Sequence, residues 1–374
     1  MKIVQTNDGQ LLYLTSYQQA VALKAQQCLL FCPQCHQLLT ICTTKKHGFY
    51  FAHQHTSTYY CNETQQHRSG KQLLLNWCQQ AGISALSEKW VCNHTQRADI
   101  LLPQQNIILE LQCSPLSKTA LSQRTQAYTQ HHYRVIWLLG QRYRLNKNYL
   151  TSQQRQFLNY QQHYGFYLLF LHVQQQQLCC YHHLRQSDWG KLQYQQQVIP
   201  FKQLFKIMPC QSVTRHHNNL HELLRQTQKC QRALHYRSSQ IQKYQLACYR
   251  HGYDLTCVPL LCHETNLLPP LFAQPLLFTN IMMVLWLKQH QQITLQTFYT
   301  HYQRSVTVNT PLLSPSTIKQ ITRQCARQLL HRLYQTSCIT SNKQWLVINQ
   351  NILHKQWFPN LESKLIAIKK HKEV

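Results

Sequence analysis

Arg97-Ala98-Asp99-Ile100-Leu101-Leu102-Pro103-Gln104-Gln105-Asn106-Ile107-Ile108-Leu109-Glu110-Leu111-Gln112 is the stretch on which the fold turns. Two apolar runs flank the connection Pro103 to Asn106, whose length is common for a β-hairpin loop. Pairing across that loop sets Leu102 opposite Ile107, Leu101 opposite Ile108, Ile100 opposite Leu109, Asp99 opposite Glu110 and Arg97 opposite Gln112. Such partners have Cβ atoms about 4.5–5.5 Å apart, near enough for two carboxylates to ligate one divalent cation. One face of the hairpin is apolar throughout, and the other carries Leu101 and Ile108, so the hairpin reads as buried on both sides with two acids set in it.

Adjacent buried carboxylates repel and lose hydration unless one is protonated or a cation lies between them. A hard divalent ion, Mg2+ or Mn2+, removes the conflict and can polarise a phosphodiester. The alternative is structural: Asp99 pairs with Arg97 or Arg124, and Glu110 with a lysine.

The surroundings extend the pattern. A helix is expected from Asn62 to about Gln80, with Leu73, Leu74, Trp77 and Cys78 on its apolar face and Gly82 as its stop. Strands are expected at 83–92, 97–102 and 107–112, a helix at about 117–131, and an apolar strand from Val135 to Leu139, giving the order α-β-β-β-α-β. Glu63, His67 and Lys71 repeat every fourth residue and share one helix face. That face is either functional or a solvated stripe.

The whole chain supports a polyanion partner. Its 374 residues hold 38 Lys and Arg against 11 Asp and Glu, a formal charge of +27. Charged residues are only 13% of the chain, against about 25% in ordinary domains, so the basicity comes from missing acids. Four of the eleven acids nevertheless fall between 63 and 110. A hydrophobic fraction of 43% excludes a disordered chain. No secretory pattern and no apolar run of about 18 residues is seen, and 17 cysteines without a signal segment point to reduced thiols, so a cytoplasmic location is expected.

Three regions are expected. Residues 1–61 read as a small zinc-ribbon-like module: Cys32-Pro33-Gln34-Cys35 has the spacing of half a zinc site, with His53 and Cys61 as the other ligands, His55 as substitute, and Cys28 or Cys42 ranked after it. Residues 62–150 hold the hairpin core. Residues 151–374 begin with strand candidates at 166–173, 178–181 and 192–200, which either extend the first sheet or start another. A long helix is expected from about Ser212 to His251, then helices near 276–290 and 315–335. The last carries Lys319, Arg323, Arg327 and His331 at i+4 spacing and precedes a hairpin-like Cys338 to Ile348. Helix then hairpin is the order of a winged-helix element; a solvated basic face is the reading weighed above it.

Arg97-Ala98-Asp99-Ile100, Leu109-Glu110-Leu111-Gln112-Cys113-Ser114-Pro115-Leu116-Ser117 and Val135-Ile136-Trp137-Leu138-Leu139-Gly140 resemble the nuclease region of the competence protein CoiA family, which is similar to the PD-(D/E)XK nuclease superfamily. Phe51-Ala52-His53 resembles the family's His-Phe-Ala-His element, with Tyr50 in place of the first His. The resemblance implies an α/β, PD-(D/E)XK-like core in which Asp99 and Glu110 bind Mg2+ or Mn2+, Glu63 completes the metal shell and Zn2+ is structural. Gln112 stands where the superfamily has a Lys. It cannot act as a base, which leaves proton removal to hydroxide on the metal or to Lys71 or Lys118. His67, Lys118, Arg124, Lys319, Arg323 and Arg327 are the candidate nucleic-acid contacts.

The implied function is metal-dependent cleavage of incoming DNA, single-stranded by expectation, in natural transformation alongside a RecA-type recombinase and other competence proteins. The rival is a catalytically silent, zinc-containing DNA-binding adapter for recombination proteins. An RNA substrate is a third reading.

Overall fold

The computed structural model describes residues 3–26, 28–33, 38–43, 48–53, 65–145, 149–162, 164–205, 219–342 and 344–370. These fall into two units, Met1–Ser69 and Gly70–Val374. In the first, β1 (Ile3–Thr6), β2 (Leu11–Tyr13), α1 (Tyr17–Ala25), β3 (Leu30–Phe31), β4 (Leu38–Thr43) and β5 (Phe49–His53) build an antiparallel sheet of order β2-β1-β3-β4-β5. Alternation along β4 turns Leu39 and Ile41 inward to meet Val4, Leu30, Cys32 and Phe51. Ser16 and Gln19 close a reciprocal capping box at the start of α1.

The hairpin region builds the centre of the second unit. It contains α2 (Gln65–Gln80) from Gly70 onward, then β6 (Leu86–Val91), β7 (Gln96–Leu102), β8 (Ile107–Gln112), α3 (Lys118–Gln130) and β9 (Arg134–Leu139), the expected α-β-β-β-α-β order. Helix α2 stops at Gly82, whose φ of +69° lets the Ile83 N–H reach the Cys78 carbonyl at 2.9 Å. Strands β7 and β8 pair in the expected register, Ile100 with Leu109, Leu101 with Ile108 and Leu102 with Ile107. β8 and β9 run parallel, as a crossover through α3 requires.

The sheet continues past residue 150. After the short α4 (Ser152–Arg155), β10 (Asn159–Gln161), β11 (Gly165–His172), β12 (Gln177–Gln186) and β13 (Leu192–Val198) complete an eight-stranded sheet of order β13-β12-β11-β9-β8-β7-β6, with β10 paired to β11. Both faces are covered. Ile100, Leu102, Leu109, Leu111, Ile136 and Leu138 pack with Leu74 and Cys78 of α2. On the opposite face Leu101 and Ile108 meet Tyr128 of α3. The near-continuous apolar reading of these strands follows from this double burial.

The remainder is mostly helical: α5 (Asn219–His235), α6 (Ser239–Arg250), α7 (Leu276–Leu287), β14 (Gln292–Thr294), α8 (Leu295–Ser305), α9 (Pro315–Gln335), β15 (Ile339–Asn342), β16 (Trp345–Ile348), α10 (Gln350–Lys355) and α11 (Leu361–Lys370). The single helix expected over 212–251 is two helices. Arg237 takes φ +48°, and the Arg237 and Ser238 N–H groups bond back to Leu234 and Ala233, both at 2.9 Å, closing α5. Residues 212–218 of that expected helix lie outside the described residues. The hairpin at 338–348 is present, with β14 added to give the order β14-β16-β15. No helix of the described residues is long and apolar enough to cross a membrane.

Candidate active site

Asp99 and Glu110 lie side by side under α3. The β7–β8 ladder ends at Ile100 and Leu109, and beyond it the Leu111 N–H donates to Asp99 Oδ2 at 2.8 Å. A side-chain carboxylate thus takes a backbone donor where the two strands part. Asp99 is 9% exposed and Glu110 1%. With so little water, Glu110's carboxyl is pushed well above the usual carboxylate range, first by burial and then by the neighbouring Asp99; Arg124, Tyr128 and the Asp99 backbone N–H pull the other way.

Helix α3 supplies the compensation. Its start is set by Ser117, whose hydroxyl accepts from the Ala120 N–H at 3.1 Å. Two turns in, one Arg124 terminal nitrogen lies 3.0 Å from Glu110 Oε2 and donates to the Arg97 carbonyl at 2.6 Å. One turn further, the Tyr128 hydroxyl donates to Glu110 Oε1 at 2.5 Å and accepts from Arg124 Nε at 3.1 Å. Burial disfavours the Arg124 charge, but Glu110, Tyr128 and Asp99 outweigh it and hold the guanidinium firmly protonated. Arg124 also stands over the Trp137 ring at 5.9 Å. Of its two expected roles, phosphate clamp or ion-pair partner, the geometry displays the second.

Glu88 enters from β6. The flanking pairs Ser87 with Ile100 and Lys89 with Ala98 leave Glu88 opposite Asp99, so Glu88, Asp99 and Glu110 occupy one row across three adjacent strands. Glu88 takes φ +56°, and its carboxylate pairs with Lys71 of α2 and, at 2.6 Å, with Arg97 Nε. Glu88 and Tyr128 are not among the site residues expected from the sequence. The first depends on how β6 aligns on β7, which the structure decides; the second stands four residues after Arg124 on the same helix face.

The other candidates are placed as follows. Gln112 shares the Glu110 side of β8 by alternation, and its Nε2 donates to the Ser114 carbonyl at 2.5 Å, which also accepts from the Tyr143 hydroxyl at 2.7 Å. Lys118 is exposed at the first position of α3, and His67 is half-buried on α2. Lys319, Arg323 and Arg327 are exposed on α9. Glu63, Cys35 and Cys61 lie outside the described residues, as does the His53 side chain, while Cys32 is buried in the first sheet's core.

In kind, the described donors suit a hard divalent cation: two carboxylates forced together, whose repulsion such an ion would relieve. Among the described residues no three His, Cys, Asp or Glu side chains converge closely enough to hold a metal.

Residues 63–208 match the family model described as competence protein CoiA, nuclease-like domain. The chain carries a CoiA nuclease-like domain. The match supports the family resemblance of the hairpin motifs and takes in β10 to β13, so the CoiA nuclease-like domain includes the sheet extension beyond 150. No curated protein and no solved structure matches the chain.

Proposed function

We propose that the chain is a metal-dependent deoxyribonuclease whose centre is the Asp99–Glu110 pair. One observation carries the reading: two buried carboxylates stand side by side in a basic protein, inside a nuclease-like domain, at the point where β7 and β8 part. Asp99 and Glu110 would hold Mg2+ or Mn2+. A bound ion supplies Lewis-acid polarisation of the scissile phosphodiester.

The chain's own groups do the rest. Arg124 offsets the paired negative charge, and Tyr128 fixes the Glu110 carboxylate between two donors. Gln112 would offer a neutral amide to a phosphate oxygen or to the attacking water, and Lys118, exposed at the head of α3, would meet the substrate backbone. The family resemblance makes incoming DNA in transformation the proposed substrate, single-stranded by preference.

The test is cleavage of end-labelled single- and double-stranded DNA with Mg2+, Mn2+ or chelator. Metal-dependent cutting is expected, lost by about a hundredfold or more in Asp99→Ala and Glu110→Ala with DNA binding retained. Equal cutting in the variants removes the site from the reaction. The silent adapter has its own observation: both Glu110 oxygens are already engaged by Arg124 and Tyr128. Binding without metal-dependent cutting in the unaltered protein selects it.

A further inference from the structure

The segment from α7 to β16 has an arrangement that the nuclease centre does not use. Its elements run helix, strand, helix, helix, strand, strand, and the three strands pair antiparallel as β14-β16-β15. The first strand lies beside the last, so the terminal hairpin projects as a wing next to α9. Leu329, Leu333, Phe298, Ile293 and Leu346 belong to the core that joins these pieces. Ser314 caps α9, with Pro315 at its first position.

The outer face of α9 has one chemistry. Lys319, Gln320, Arg323, Gln324, Arg327 and His331 are all exposed. Residues 265–361 contain no Asp or Glu, and no ion pair of Lys319, Arg323 or Arg327 occurs among the described residues. Arg332, on the inner flank, behaves differently: it pairs with Glu264 at 3.0 Å and donates to the Leu261 carbonyl at 2.8 Å. One helix therefore carries both structural and unneutralised arginines, sorted by face. Arg323 is held over the Tyr299 ring of α8, its guanidinium carbon 4.8 Å from the centroid.

We infer that residues 276–348 form a winged-helix module that binds duplex DNA with α9 in the major groove. An α-helix fits that groove, about 12 Å wide, and Lys319 to Arg327 spans about 12 Å of helix at 1.5 Å per residue. Arg and Gln are the side chains that read guanine and adenine edges there. Single strands are gripped by exposed aromatic rings, and the outer face of α9 presents none. The module is a duplex anchor distinct from the carboxylate centre, and it stands whether or not that centre cuts.

Full-length protein is titrated in chelator, so that cleavage plays no part, against a labelled 20-base-pair duplex and the matched single strand, with fluorescence anisotropy as readout. Arg323→Ala with Arg327→Ala is compared with Lys369→Ala with Lys370→Ala, which removes the same charge from exposed positions of α11. The α9 pair is expected to weaken duplex binding about tenfold or more, to lower the salt slope by about 2, and to leave single-strand binding within about threefold. The α11 pair is expected to leave duplex binding within that same threefold range. Unchanged duplex affinity in the α9 variant, equal loss on both strand forms, equal loss in the α11 variant, or tighter binding of a matched RNA duplex overturns the assignment.

Discussion

Glu110 shows how one carboxylate is kept in a place that disfavours it. Burial and Asp99 raise its protonation tendency, and Arg124 and Tyr128 hold the charged form against them. Tyr128 is itself wholly buried, and its hydroxyl is held protonated first by burial and then by Glu110. Tyr128→Phe deletes a hydrogen bond to a buried carboxylate without opening a cavity. A loss of about 1.5–3 kcal/mol in urea unfolding is expected, with weakened cleavage, because Glu110 is then free to turn on Arg124 alone. An unchanged midpoint would mean that the hydroxyl does not hold Glu110. The pairing of Asp99 with Glu110 was legible because hairpin register follows from loop length and alternation. The compensation by α3 was not, since which helix residues reach a sheet acid depends on how the crossover seats.

At the scale of elements, α2 meets the sheet through Gly70. A Cβ there would come 2.3 Å from Leu111 Cδ2, with Val173 and Leu171 at 3.2 and 3.3 Å, so the helix backbone lies directly on the strand that carries Glu110. Gly70→Ala favours helix formation by about 1 kcal/mol, yet overpacking here is expected to dominate, with a net loss of about 1–2 kcal/mol in urea unfolding. A more stable variant would show that Leu111 can swing aside. Helix ends divide in the same way between local and remote causes. The stop at Gly82 was readable because glycine takes positive φ without strain. The break at Arg237 uses the same hydrogen-bond pattern without a glycine. Only the packing of α6 back against its neighbours makes that left-handed arginine worth holding.

Across the whole molecule, a second set of buried acids joins the sheet to the helical half. Asp188, just past β12, accepts from the Leu276 and Leu277 N–H groups at 2.8 and 2.7 Å and so caps α7 from 88 residues away. Beside it, Glu222 pairs with Arg225, and Glu264 with Arg332. Gln226 bridges them, its Nε2 donating to Glu222 Oε1 at 2.8 Å and to the Glu264 carbonyl at 2.7 Å, while its Oε1 lies 2.9 Å from His263 Nδ1. Burial, aided by Glu264 and Glu222, pushes the Asp188 carboxyl from 3.8 up to about 7 despite its two donors. The folded state thus keeps a proton that the unfolded chain releases. The stability from that proton is fully present below 3.8 and is lost as pH rises through about 7. Asp188→Asn is expected to be less stable overall, since one N–H loses its acceptor, and to show a flatter decline in urea midpoint from about pH 4 to about pH 8. Parallel curves for the two proteins would rule out Asp188 as the titrating group.

By itself the sequence determined the hairpin register, the α-β-β-β-α-β order, the placement of two acids in a doubly buried sheet and the basic stripe of α9. Each of these rests on interactions a few residues apart or on strict alternation. The tertiary structure alone decided that Arg124 and Tyr128 balance Glu110, that Glu88 joins the same row, that β10 to β13 extend the sheet, and that β14 turns a helix and hairpin into a winged arrangement. Those outcomes depend on contacts between segments far apart in the chain. No local periodicity records which distant strand or helix will supply the partner of a buried charge.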